Sequence, residues 1–321
     1  MMKNILLLSA GRRVELAQAF KSEIVARSLA ARLFATEMRP ELSAACQVVD
    51  QSFKAPRVNE PAYIDYLLST CLEWQIGLVV PTIDTELLLL SQNRGHFAAH
   101  GIHIVISDEE FVRVCRDKRL TANLFAQMGI ESPKIYPRDN IQFPCFAKPY
   151  DGSCSIGALA IREPQMLSDA LLSDEKMMFM ELIDDDFDEY TVDAYFDRHC
   201  VLTCFVPRQR LETRAGEVSK GVTRKRHVYQ YLLEKLPALK GVRGCITLQL
   251  FSNATTGRFA ALEINPRFGG GYPLSYSAGA NYPGWLIDEY LLDRDVSFLD
   301  SWESDLMMLR YDAKVLVHGT T

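Results

Sequence analysis

The segment ALEINPRFGGGYPLS, residues 261–275, sets Glu263, Asn265 and Arg267 at alternate positions of an otherwise apolar run. Alternate residues of a strand share one face, so three polar groups stand together where burial would favour aliphatic ones. Upstream, CITLQLF alternates as a strand carrying Gln249, and SNATTGR follows with Asn253 and Gly257 as turn residues. A hairpin centred near Thr255 and Thr256 pairs positions summing to about 511 or 512, which sets Gln249 against residue 262 or 263. One carboxylate, two amides and a guanidinium thus gather at one end of a hairpin. Hard oxygen donors with few full charges suit Mg2+ shared with phosphate oxygens, and arginine suits an anion formed beside the metal. A solvent-facing stripe on an edge hairpin is the plainer alternative, but the flanking Leu262, Ile264 and Pro266 favour a site.

The first 110 residues alternate strand and helix signals. Residues 4–9 form a continuous apolar run closed by Ala10 and Gly11, and residues 14–29 carry apolar side chains at helical spacing. Strand-like runs recur at 32–36, 78–81 and 102–107, with helical stretches at 63–74 and 85–91. This alternation predicts an open parallel α/β unit with its ligand crevice at the carboxyl ends of the strands. Ser9-Ala10-Gly11 and Pro81-Thr82-Ile83-Asp84 sit at two such ends, where ordinary turns also need small and capping residues. Residues 111–128 read as one helix stopped by Gly129; short strands then dominate, at 145–148, 158–162, 177–181, 190–196 and 201–205. The expected organisation is an α/β unit over 1–110, a linker helix and small lid over 111–183, and an α+β unit over 184–321.

Of the 321 residues, 48% are hydrophobic, enough for two or three packed subdomains. With 35 basic against 41 acidic residues the net charge is −6, which argues against a nucleic-acid partner. No stretch approaches the length of a membrane span or a signal peptide, so a cytoplasmic protein is expected. The eight cysteines lack metal-ligand spacing and read as buried free thiols.

Two further stretches carry chemistry. In FPCFAKPYDGSCSIGALAI a strand delivers Lys148 to a loop of small residues whose N–H groups can cradle phosphate oxygens. In MFMELIDDDFDEYTVDAYFD an apolar strand reaches Glu181, Leu182 and Ile183, passes a solvated acidic turn and re-enters a strand at Glu189. Lys118, in RDKRLTANLFAQMGI, stands at or near a helix start from which it can reach a phosphate.

In this order the motifs resemble the ATP-grasp superfamily, most nearly the branch of the carbamoyl-phosphate synthetase large chain, with biotin carboxylase and carboxylate–amine ligases as relatives. The resemblance spans essentially the whole chain and implies a pre-ATP-grasp α/β domain followed by a two-lobed ATP-grasp fold. It implies that Lys118 and Lys148 hold the ATP phosphates, and that Gly152, Ser153, Ser155 and Gly157 belong to a flexible lid loop. Glu181, Leu182 and Ile183 would form the adenine hinge, with Glu189 on the ribose. Gln249, Glu263 and Asn265 would hold Mg2+, with Mn2+ as an alternative, and Arg267 would steady an acyl phosphate. Cys154 stands where a glycine is usual in the lid loop. Having one synthetase domain only, the chain departs from a complete carbamoyl-phosphate synthetase.

The implied activity is an ADP-forming ligation of a small-molecule carboxylate to an amine. A bicarbonate-phosphorylating carboxylase and a non-catalytic nucleotide-binding protein are the alternatives, and dimers are common among the relatives. Acceptor choice is expected to rest on the glycine run after Arg267 and on the basic segment PRQRLETRAGEVSKGVTRKR. There Arg208, Arg210, Arg214 and Lys220 are candidates for an anionic substrate, and the resemblance places Lys220 and Thr223 near the active site.

Overall fold

The computed structural model describes residues 3–152, 156–214 and 216–319. The chain opens with β1 (Asn4–Leu7), α1 (Val14–Ala26), β2 (Leu33–Glu37), β3 (Gln51–Lys54), α2 (Tyr63–Glu73), β4 (Ile76–Val80), α3 (Asp84–Ala98) and β5 (His103–Ile104). These strands form one parallel sheet in the order β3-β2-β1-β4-β5. Helices cover both faces, so β4 is buried along its whole length, as its unbroken aliphatic run requires. The order reverses between β1 and β4, and the loops at residues 9–13 and 81–84 meet at that switch point. Sequence reasoning overlooked β3, whose QSFK lies at the sheet edge and is only partly buried. It also made too much of 102–107, where only two residues pair as strand.

Residues 109–127 are not one helix but two, α4 (Glu109–Arg116) and α5 (Lys118–Gln127). Asp117 between them is extended, at φ −111° and ψ 113°, and its carboxylate caps α5 by accepting from the Arg119 amide at 2.9 Å. Buried apolar positions continue on both sides of the break, so spacing alone hides it. The break makes Lys118 the first residue of α5.

A small antiparallel sheet follows: β6 (Ile135–Tyr136), β7 (Cys145–Pro149), β8 (Leu159–Ile161), α6 (Asp169–Ser173) and β9 (Met177–Glu181), with strand order β6-β9-β7-β8. The third sheet contains β10 (Asp188–Phe196), β11 (Leu202–Arg214), β12 (Glu217–Thr223), β13 (Gly244–Ser252), β14 (Phe259–Asn265) and β15 (Met307–Leu309). Its order is β14-β13-β10-β11-β12-β15, with α7 (His227–Leu233) after β12 and α8 (Tyr272–Ser277) and α9 (Tyr282–Leu291) after β14. β11 runs well past the apolar 202–206, because its far half, rich in charged residues, leaves the core.

Two cores matter for the site. One joins the parallel sheet to the third sheet through Phe20, Phe268, Tyr272, Tyr282 and Leu286. The small sheet packs on its own cluster around Cys145, Ala147, Ile161 and Phe179. The cleft between the small sheet and the third sheet holds the candidate site.

Candidate active site

The hairpin β13–β14 pairs Gln249 with Glu263 and Thr247 with Asn265, then shifts so that Leu250 faces Ala261. Both sums anticipated from the turn therefore occur, 512 on the site side and 511 toward the tip, with Leu262 as the extra residue of a β-bulge. The bulge lets consecutive residues, Leu262 and Glu263, both line the cleft. Asn265 donates its Nδ2 to Glu263 Oε1 at 3.0 Å, and Lys118 Nζ lies 3.4 Å from Glu263 Oε2. Lys118 also donates to the Gly152 carbonyl at 2.5 Å, tying α5 to the first residue of the lid loop. Lys148 on β7 stands beside them; burial pulls its pKa down to about 8, Glu263 opposes that pull and Lys118 adds to it. Two lysines facing one carboxylate leave an enclosed excess of positive charge, which suits a polyphosphate.

The donor set can be tested against a divalent cation. Glu263 is the only full charge of the three, and among the described residues no cluster of three His, Cys, Asp or Glu side chains could hold a metal. Gln249, Glu263 and Asn265 are thus too weakly charged to trap a cation alone, but they fit Mg2+ whose shell is completed by phosphate oxygens.

Asn265 lines a smaller recess with Lys118 and Glu263, and beside it a cavity of about 370 Å³ runs from Gln249 and Glu263 between the two sheets. Phe146 and Met180 face it from the small sheet and Phe251 and Leu262 from the third, giving an apolar slot. Glu181, Leu182 and Ile183 line its edge where the chain leaves β9. The Glu181 carboxylate is already taken: it accepts from Arg258 at 2.8 Å and from the Lys134 amide at 3.2 Å, and the Arg258 bond holds its pKa low. What this segment can offer a ligand is therefore backbone. Glu189 on β10 pairs with Arg210 at 2.8 Å; burial raises its pKa, Arg210 draws it back, and Glu263 adds to the rise. Arg210 Nε is buried and has no partner among the described residues.

The basic segment separates on folding. Arg210 lines the cavity, but Arg208, two residues earlier, is sunk in the core. Its Nε and Nη2 donate to both oxygens of buried Asp193 at 2.7 and 3.0 Å, so it cannot reach a ligand. Arg214 pairs with Asp312, and Lys220 with Glu212 at 2.8 Å, both exposed and outside the cavity. Lys220, a catalytic candidate in the sequence, is thus not brought to the site. Buried Thr223 donates to the Glu303 carbonyl at 2.8 Å. Gly152 and Gly157 flank the lid loop, Gly157 at φ +73°; Ser153, Cys154 and Ser155 lie outside the described residues. Arg267 turns away from the cavity to the parallel-sheet domain, where it grips Asp84 with two bonds of 3.0 and 2.6 Å. Sequence reasoning placed Asp84 at a strand end without a partner. Arg13, whose guanidinium donates to the Thr82 carbonyl at 3.0 Å, was not singled out, because a lone arginine at a helix start carries no pattern.

Comparisons with known proteins agree with this architecture. Residues 5–105 match the family model of the PylC-like N-terminal domain, and residues 173–310 that of an ATP-grasp domain in the biosynthetic pathway with Ter operon. Among solved structures, the biotin carboxylase domain of Hydrogenobacter thermophilus 2-oxoglutarate carboxylase, with MgADP and bicarbonate, superposes with TM-score 0.75 at 12% identity, over 96% of this chain and 74% of that one. N5-carboxyaminoimidazole synthetase from Staphylococcus aureus with ADP gives TM-score 0.70 at 12% identity, over 92% and 78%. Campylobacter jejuni biotin carboxylase in a β-γ-ATP complex gives TM-score 0.71 at 15% identity, over 96% and 74%. No curated protein matches the sequence significantly. The fold is thus that of these solved structures, and residues 173–310 carry the match to an ATP-grasp domain. No helix of the described residues is long and apolar enough to cross a membrane.

Proposed function

We propose that the protein activates a small-molecule carboxylate as an acyl phosphate with ATP and transfers the acyl group to an amine. The observation that carries this is the meeting of Gln249 and Glu263 with Lys118 and Lys148 at one end of a single cavity, with Asn265 bonded to Glu263 beside it. Adenine would lie in the apolar slot against the backbone of 181–183, with the ribose near Glu189 and the phosphates toward the lysines. A carboxylate oxygen attacks the γ-phosphorus and the bond to ADP breaks; the amine nitrogen then attacks the acyl carbon of the acyl phosphate, the C–N bond forms as the C–O bond to phosphate breaks, inorganic phosphate leaves and the amine gives up a proton. Gln249, Glu263 and Asn265 would hold Mg2+ (or Mn2+) together with the phosphates, and the ion would supply neutralisation of charge there. Lys118 and Lys148 add fixed positive charge there. Closing the small lobe over the cleft excludes water, which would hydrolyse the acyl phosphate. Arg267, two residues beyond the end of β14, would have to leave its pairing with Asp84 to steady the acyl phosphate; Lys220 has no part. A homodimer belongs to this proposal, since the Hydrogenobacter thermophilus domain is a dimer.

The test is ADP release with Mg2+ across a panel of carboxylates, with and without amines, beside Glu263→Gln. Release that needs an organic acid and falls about a hundredfold or more in the variant is expected. Release with bicarbonate alone would replace this proposal with the carboxylase one. Nucleotide binding with no release under any condition would leave a binding protein.

A further inference from the structure

Two arginines of β11, two residues apart, meet carboxylates of β10 in different ways. Arg208 faces Asp193 side-on, with Nε and Nη2 matched to the two carboxylate oxygens, so these donors are spent inside the fold. Arg210 is also enclosed, its side chain 10% exposed, but it meets Glu189 end-on through Nη1, at 2.8 Å. Its Nη2 donates to the Gly216 carbonyl at 3.2 Å, and its buried Nε has no acceptor among the described residues. Glu189 in turn has Arg210 as its one ionic partner among those residues, and no hydrogen bond reaches it from elsewhere. A guanidinium nine-tenths buried with an unmet N–H is a cost that the side-on pair avoids.

Both residues line the large cavity, next to Phe251. The ladders that pair Tyr190 with Gln209 and Glu189 with Phe251 fix this row of the third sheet. Phe251 is two residues from Gln249 on β13, so the pair stands roughly 7 Å from the phosphate end of the cavity. The wall there carries one unused donor and one unused acceptor. An anion would be repelled by Glu189, and a cation by Arg210. A vicinal diol suits both, because each hydroxyl donates and accepts: one donates to Glu189, and the other accepts from Nε once the guanidinium pivots about its Glu189 contact.

We propose that Arg210 is a specificity-determining residue of the nucleotide site, reading with Glu189 the vicinal diol of a ribose and so restricting the site to ribonucleotides. The proposal rests on the nucleotide site proposed above and adds to it a residue and a selectivity. Arg210 also spans from Glu189 to the Gly216 carbonyl, and so fastens the β11–β12 hairpin, whose Thr213 and Gly216 line the same cavity. A purely structural tie of that kind, once cut, would weaken every nucleotide alike, which separates the two roles.

The experiment is calorimetric titration of the full chain, in Mg2+, with a non-hydrolysable ATP analogue and with its 2′,3′-dideoxy form. The wild type should bind the ribose form about tenfold more tightly or better, the worth of a charge-assisted hydrogen bond. Arg210→Gln should weaken the ribose form by a similar factor while the dideoxy Kd stays within about twofold, which also shows that the variant is folded. Arg210→Lys keeps the charge beside Glu189 but not the Nε donor, and should fall short of the wild-type discrimination. Equal binding of the two forms by the wild type, equal weakening of both by Arg210→Gln, or undiminished discrimination in either variant would overturn the proposal and leave the nucleotide site standing. Binding of neither form by the wild type would overturn both.

Discussion

Lys148 shows how burial and function pull one side chain in opposite directions. Its pKa of about 8 in the fold lies below the ordinary lysine value near 10.4. Between those limits the unfolded chain holds more protons, so on this group's account the unliganded protein gains stability as pH rises. The same rise removes the cation that would meet the phosphates. ATP-analogue affinity should therefore fall as pH passes through 8 and continue falling toward 10, while Lys148→Arg, which keeps its charge, should be nearly flat. Titrations at pH 7 and 9 on both proteins decide it; parallel slopes would remove Lys148 from the phosphate site. At this scale the sequence is informative where a residue breaks a pattern. Glu263 and Asn265 interrupt an apolar strand and so announce themselves. Arg13 does not, because its partner, the Thr82 carbonyl, lies 69 residues away.

Elements were legible where local chemistry sets them. The turn residues Asn253 and Gly257 fix the register of β13 and β14, so Gln249 and Glu263 could be paired before any coordinates. The break at Asp117 was not legible, because α4 and α5 keep apolar spacing across it. Nor was the depth of Arg208: a basic run looks solvated until the strand that carries it proves central to a sheet. That burial makes a prediction about the helix start above it. A Cβ at Gly271 would come within 2.2 Å of Arg208 Nη1, which cannot swing away because Asp193 holds the guanidinium through two bonds. Gly271→Ala should cost about 2–3 kcal/mol in chemical denaturation. Gly270→Ala meets only the end of the Glu217 side chain at 3.2 Å and should cost under about 1 kcal/mol. Equal losses would show that the Arg208–Asp193 pair is not the rigid wall described.

The whole molecule divides by its cores. Since one core spans the parallel sheet and the third sheet, and the small sheet packs on itself, two bodies face each other across the cleft. Arg258 to Glu181, Lys118 Nζ to the Gly152 carbonyl and the Lys118 amide to the Tyr150 carbonyl are polar ties between them. Small, separately packed units open at lower free energy than the global core. Hydrogen exchange should therefore be faster in β7 and β9 than in β10 and β13, and Mg2+ with an ATP analogue should slow the former about tenfold or more. Uniform exchange across the chain would mean a single cooperative unit. The sequence showed alternating strands and helices giving way to short strands, but not which units share a core, since no local pattern records whether α1 will pack on α9.

The bulge at Leu262 has a consequence for how chains of this kind vary. It places one surplus residue between the tip of the hairpin and the pair Gln249–Glu263. A single-residue deletion in the 253–257 turn can be absorbed by straightening the bulge, leaving that pair opposite each other at the loss of Leu262 from the cleft wall. Length at the tip is then a neutral variable over one step, and a second step is not: it would turn Glu263 to the other face of the sheet. Natural histories of this hairpin should therefore show turns differing by one residue far more often than by two.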